Sequence, residues 1–402
     1  MIWDYIQDKI IKKIDGNKKE LTENAAKNIR NILDLSIKLN TYGNKYENAN
    51  KNIESVLVIF DRQYGLTNIL TSGYKKALTE MCGDNFKERV KFLDFDKSNK
   101  EEILGEINNL KEKDLVVMIQ TTNFRLDDFR IRLHLFSKKL KVIEHMHLNR
   151  NKKEVWDVYV NSLEYDRDYY YKTAHAIKNK IDSSKKLIIS SRINDLCDYG
   201  VNNLSNTTVK EYVDRREDTL IVDGELEEAK LNIGDYDNME NVGGTFPIGE
   251  VFTESKEIKN MNGEVMIYAL ANSDFTMQMY EPFLIKIESG VVVEYGDNAP
   301  KDFIDIYNQV KSYETPMIRE IGFGLNKAIT KERFLGDITA FERIYGMHLS
   351  MGEKHSVYKK EGLISKKTKY HVDLFPVAHK VTTVNKNTNQ EEIIFEDGKY
   401  VI

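Results

Sequence analysis

Five short apolar runs punctuate the first half of this 402-residue chain: SVLVIF at 55–60, VKFLDF at 90–95, LVVMIQ at 115–120, LKVIEH at 140–145 and KLIIS at 186–190. Helical stretches separate them. Runs this short, rich in Val and Ile and alternating with helices, call for strands buried on both faces, and so for a mostly parallel sheet covered by helices. Before them, residues 1 to about 45 read as helix, with Ile6, Ile10, Ile11 and Ile14, then Ile29, Ile32, Leu33 and Ile37, near helical spacing. No GxGxxG or GxxxxGKS/T motif follows any of the runs, so the usual glycine cradle for a nucleotide phosphate is absent and this half reads as scaffold or substrate wall.

Past residue 200 the texture changes. All five prolines, Pro247, Pro282, Pro300, Pro316 and Pro376, fall there, among Gly, Asn and Asp and short β runs such as TLIVDG at 219–224 and EVMIYAL at 264–270. PFLIKIESGVVVEYG at 282–296 places a turn between two apolar alternations and reads as a hairpin. The expectation is an α/β domain with a mostly parallel sheet over residues 1–200, then an α+β domain over 201–402, with the boundary between about 190 and 240.

The hydrophobic share of 41%, the charged share of 31% and a formal net charge of -5 fit a globular protein and give no electrostatic case for nucleic acid or an anionic membrane. Small molecules or peptides are the expected partners. No run of about 18 apolar residues occurs, and the acidic positions inside MIWDYIQDKIIKKIDGNKKE argue against a secretory signal. Cys82 and Cys197 lie far apart outside any CxxC pattern and read as reduced structural thiols, so a cytoplasmic location is expected and any metal must be held by other residues.

Four of the eight histidines, His348, His355, His371 and His379, lie near the C-terminal end. In KYHVDLF, His371 and Asp373 stand two apart, on one side of a short strand, where both can face one ion. GMHLSMG sets His348 among small residues; FPIGEVF puts Glu250 just after Gly249, and REIGFGLN puts Glu320 just before a Gly-x-Gly. Carboxylates and neutral imidazoles are the donors that a pair of divalent ions needs, and strand edges are where such side chains are presented.

Taken in order, FPIGEVFTES, REIGFGLN, ERIYGMHLSMG and KYHVDL resemble the metal-dependent aminopeptidases typified by aminopeptidase T and aminopeptidase S. The resemblance covers the second half of the chain; the first agrees in its α/β texture. It implies that the α+β domain is metal-binding and catalytic, with Glu250, Glu320, His348, His371 and Asp373 as ligands of two divalent ions (Zn, Co or Mn) and Glu342 as a further acidic residue that moves a proton. It also implies peptide substrates cleaved at the amino-terminal residue, and a homodimer.

One departure stands out. Where that pattern has a tyrosine after its Gly-x-His segment, this chain has MGEKHSVY, with His355 at the corresponding distance and Tyr358 three residues later; either can donate to an oxyanion. Two other readings stay open: a mononuclear iron, ring-cleaving dioxygenase of the same fold lineage, using His348, His371 and Asp373, and a non-catalytic metal-binding homologue.

Overall fold

The computed structural model describes residues 2–39, 53–127, 129–191, 218–236, 243–352, 358 and 370–402, with residues 2–16 as backbone only. Two compact units emerge, Met1–Arg167 with Gly234–Ile248, and Asp168–Ile233 with Gly249–Ile402. No helix among the described residues is long and apolar enough to cross a membrane.

The first unit is built on a five-stranded parallel sheet in the order Gly243–Thr245, Lys141–His145, Leu115–Ile119, Val56–Phe60, Val90–Asp94. Four of the expected runs supply four of its strands. Val56–Phe60, Leu115–Ile119 and Lys141–His145 are buried at every position, as central parallel strands must be, whereas Val90–Asp94 at the edge is buried only at Val90 and Leu93. On one face Leu57, Ile59, Val116, Met118 and Val142 pack with Ile103, Ile107, Ile131 and Leu135, which come from helices Lys100–Asn108 and Ile131–Ser137. The N-terminal helix runs Ile2–Asn31 and continues as a π-helical turn, Ile32–Ser36. It lies against helix Gly65–Cys82 at Gly73, where an added Cβ would stand 3.1 Å from both Ala25 and Ile29.

The fifth expected run does not join this sheet. Ser184–Ser191 pairs antiparallel with Asp218–Val222 and Ala378–Asn385, and the parallel sheet is completed instead by the distant Gly243–Thr245. A single cut near residue 200 therefore does not describe the two units: the second begins at Asp168, and Gly234–Ile248 returns to the first.

The second unit carries a thirteen-stranded sheet in which every strand pairing among the described residues is antiparallel. Five of its strands lie side by side in the order Met261–Ala271, His371–Pro376, Gly346–Gly352, Ile318–Gly324, Glu250–Thr253. The expected hairpin joins Met277–Glu288 to Val291–Tyr295. Its turn residues Ser289 and Gly290 have φ of 50° and 77°, the two positive values that a type I′ turn requires. Helix Lys301–Tyr313 buries Phe303, Ile306, Tyr307 and Val310, a single apolar stripe, and Phe303 meets Phe283 of the hairpin at a ring separation of 4.9 Å.

Candidate metal centre

Cross-strand register decides where the expected donors go. Glu250 lies opposite Gly324, His348 opposite Gly322, Glu320 opposite Ser350, Ser350 opposite Asp373, and His371 opposite Gly352. Paired residues project from the same face of a sheet, so Glu250, Glu320, His348, His371 and Asp373 share one face of four adjacent strands. Between them the alternate residues Ile321, Phe323, Leu349, Met351, Val372 and Leu374 are buried on the other side. With the exception of the exposed His371, the alternation is therefore of donors with apolar residues, both enclosed, and not of surface with core.

His348 Nε2 is 3.3 Å from Glu320 Oε1 and 3.5 Å from Glu250 Oε1. His371 Nε2 is 3.2 Å from Asp373 Oδ1, which also accepts a 2.6 Å hydrogen bond from Ser350 Oγ. Glu342 follows helix Ile338–Phe341, and its ligand atom lies within 4.8 Å of those of Glu250 and His348. Arg343 Nη1 contacts Glu342 Oε1 and stands 2.9 Å from Glu250 Oε2. The His348 side chain is fully enclosed, while that of His371 is 33% exposed.

Burial of so many charges perturbs each of them. Burial pushes the Glu342 carboxyl up to about 8, against the pull of Arg343 and with help from Glu250 and Asp373. Glu250 also rises through burial, opposed by Arg343 and His348. For Glu320 burial acts upward but is outweighed by the hydrogen bond from His348 and the charge of His371, and its carboxyl falls below the usual range. Burial likewise fails to hold up Asp373, which His371, His348 and Ser350 keep well down. His348 goes to about 9: burial would lower it, but Glu320, Asp373 and Glu250 together draw a proton onto the ring. A group of enclosed carboxylates that collects positive charge in this way has the chemistry of a cation site.

The donor spacing fits a metal as well. Charge-assisted N–H···O bonds are about 2.7–2.9 Å long, shorter than the three histidine–carboxylate separations here. Those separations match the donor–donor edge of a tetrahedral site, roughly 3.3–3.4 Å for bonds of about 2.0–2.1 Å. Glu320 Oε2 and His348 Nδ1 are buried and lack a hydrogen-bond partner among the described residues, which leaves the second glutamate oxygen available to another ligand position.

Of the eight expected site residues, six thus come together: Glu250, Glu320, Glu342, His348, His371 and Asp373. Tyr358 takes another role. Its hydroxyl faces the main-chain carbonyls of Glu228 at 3.0 Å and Phe252 at 3.1 Å, and its ring meets the Phe252 ring at 6.3 Å, so the group is spent on the backbone and is not offered to an oxyanion. His355 lies outside the described residues. Sequence reasoning missed Arg343 and Ser350. The signal for Ser350 was its spacing two residues after His348; that for Arg343 was its adjacency to Glu342. Searches against protein-family models and against curated proteins give no match to this chain.

Proposed function

We propose that the chain is a metal-dependent aminopeptidase, a hydrolase that removes the amino-terminal residue of short peptides at a centre of two divalent ions. The observation that carries the reading is the presence of two donor sets on one sheet face, Glu250–His348–Glu320 and His371–Asp373, with Glu320 level with Asp373 across Ser350 and its Oε2 without a hydrogen-bond partner among the described residues. Glu250, Glu320 and His348 would hold one ion, and His371 and Asp373, with the second oxygen of Glu320, the other. Bound there, such ions supply Lewis acidity to the scissile carbonyl and lower the pKa of the attacking water.

The chain's own residues carry the rest. Ser350 fixes the Asp373 carboxylate, and its hydroxyl hydrogen is committed to Oδ1. Enclosure of His348, Glu250 and Glu320 excludes bulk water, which strengthens every interaction within the site. Glu342, with its ligand atom within 4.8 Å of those of Glu250 and His348, would take a proton from water and return it to the leaving amine. Water adds to the carbonyl carbon, the C–N bond breaks, and the products are the free amino acid and the shortened peptide.

A second reading is the mononuclear iron dioxygenase. It uses His348, His371 and Asp373, but the nearest acidic partners of His348 are Glu250 and Glu320, which favours two ions. On the aminopeptidase reading the protein is a cytoplasmic homodimer, with no role in nucleic-acid or membrane binding. Metal analysis of protein purified without added ions, followed by assay on dipeptides and amino-acid anilides with Zn, Mn and Co, tests it. Two ions per chain and release of the first residue are expected. One iron without cleavage favours the dioxygenase, and bound metal without either activity the non-catalytic metal-binding homologue.

A further inference from the structure

We propose that the first unit carries a site for a small phosphate-type oxyanion at the carboxyl ends of its parallel strands, held by Arg125, Arg130 and the ring of His147. The strands place it. Across the sheet they run Val90–Asp94, Val56–Phe60, Leu115–Ile119, Lys141–His145, so the chain's second strand lies on one side of its first and its third on the other. In open sheets of this kind the crevice for a ligand lies outside the carboxyl ends of the strands, where that order reverses. The connection leaving Ile119 forms one wall of the crevice. It leads directly into a short hairpin, Arg125–Leu126 with Phe129–Arg130, in which Arg125 lies opposite Arg130 and shares its face. From beyond the next strand, His147 N donates to Thr122 O at 2.8 Å and Arg150 N donates to His147 O at 3.0 Å, which ties the two connections together.

Three features of this place are unfavourable in the protein alone. Like charges set directly opposite destabilise a strand pair, yet neither Arg125 nor Arg130 has an ion-pair partner among the described residues. The described carboxylates of this end are engaged elsewhere: Asp61 by Thr121, Asp127 by Lys100, and Glu144 by Gln120 and Arg132. His147 holds a φ of 51°, a left-handed value that few residues with a side chain adopt. Its half-buried ring is pushed down to about 4, by burial first and then by the charges of Arg150 and Arg130, so the ring is neutral within a positive field. Unfavourable choices gathered at one place are what a functional site retains. A phosphate would accept from both guanidinium groups and from the one N–H of the neutral ring, and its charge would offset the opposed arginines. Such a site is made of side chains, in keeping with the lack of a glycine cradle after these strands. One focus of positive charge on a chain of net charge -5 suits a single oxyanion and not a polyanion, whose binding adds contacts along its length.

The test titrates the full chain with inorganic phosphate at constant ionic strength and follows the histidine ring resonances by NMR, with His147→Gln to assign the His147 signal. Because the signal reports its own surroundings, phosphate bound at any other place leaves it unmoved. A saturable shift of His147 is expected, and its pKa should rise by about 1 or more when phosphate binds, since a nearby anion favours the charged ring. Arg125→Gln and Arg130→Gln alter exposed side chains, so both variants should fold. Each should weaken phosphate by about tenfold, the worth of one hydrogen bond to a charged group. Glycerol 3-phosphate separates the sources of the group: equal or tighter binding marks a phosphomonoester as the ligand, and its exclusion marks the free ion. A His147 signal that phosphate does not move overturns the proposal, as does parental affinity in both arginine variants. A DNA oligonucleotide that moves the signal where phosphate does not would assign the arginines to a polyanion and overturn it as well.

Discussion

The imidazole of His348 lies across Gly322: a Cβ at residue 322 would stand 2.1 Å from its Cε1 and 2.3 Å from its Nε2. Carbon atoms pack at about 3.5–4.0 Å, so the ring and any methyl at 322 cannot share this space. The first glycine of GFG is therefore a site residue that acts through the histidine it makes room for. Gly322→Ala is expected to displace the ring and weaken divalent-metal binding by about 10–100-fold, the scale of losing support behind a metal ligand. Titration with Zn or Co(II), beside a thermal melt, checks this. Parental affinity in a folded variant would show that the ring tolerates the methyl.

Ligand and proton carrier should separate experimentally. His371→Ala and Asp373→Asn are expected to lower the ion count while the circular dichroism spectrum stays parental, because both side chains lie on the donor face and not among the apolar residues of the opposite face. Glu250→Gln should also lose metal. Glu342→Gln should keep it and lose turnover by about 10²–10⁴-fold, the range for a positioned general base. Full metal content and normal turnover in His371→Ala would remove that residue from the centre.

Tyr358 has a structural test. With its hydroxyl between the carbonyls of Glu228 and Phe252 and its side chain nearly enclosed, Tyr358→Phe removes the one hydrogen that these two main-chain acceptors share. A loss of about 1–3 kcal/mol in unfolding free energy is expected, with metal affinity and turnover unchanged. Denaturant unfolding and the peptide assay together decide it: a variant of parental stability and reduced turnover would restore the oxyanion role.

Local chemistry was the legible part of this fold. VLVIF and LVVMI announce buried strands because β-branched runs bounded by helices have few alternatives, and Ser289-Gly290 announces a turn because both positions need positive φ. KLIIS was legible as a strand but not as antiparallel, since a short apolar run carries no record of its partner, which here includes Ala378–Asn385 far along the chain. Gly243–Thr245 opens on two glycines, which are depleted in strands; its place beside Lys141–His145 is set by tertiary contact. The same holds at the site. His371 and Asp373 could be paired from their period of two, whereas Gly322 beneath His348 and Arg343 between two glutamates depend on register and on a turn.

Stability of the first unit should depend on pH through His145. This residue is fully enclosed, with Nε2 2.8 Å from Tyr74 Oη and Nδ1 3.0 Å from Tyr159 Oη. Tyr159 donates its one hydroxyl hydrogen to Phe246 O at 3.1 Å, so it accepts from Nδ1–H, and Nε2 must accept from Tyr74. That arrangement suits a neutral ring only, and burial lowers the histidine to about 3. Because the folded value lies below the unfolded value of about 6.5, the unfolded chain binds the extra proton, and stability rises with pH across this window. The contribution is complete above about 6.5 and is lost as pH falls toward 3, at a limiting slope of about 1.4 kcal/mol per pH unit for one proton. Trp156 is buried in this unit, so its fluorescence follows the unfolding in urea. His145→Phe leaves Tyr74 and Tyr159 without their shared partner and should be less stable than the parent at pH 8. Its disadvantage should shrink steadily as pH falls from 6.5 to 4, because the variant has no ring to protonate. Stability curves that run parallel over that interval would mean that His145 is not the titrating group.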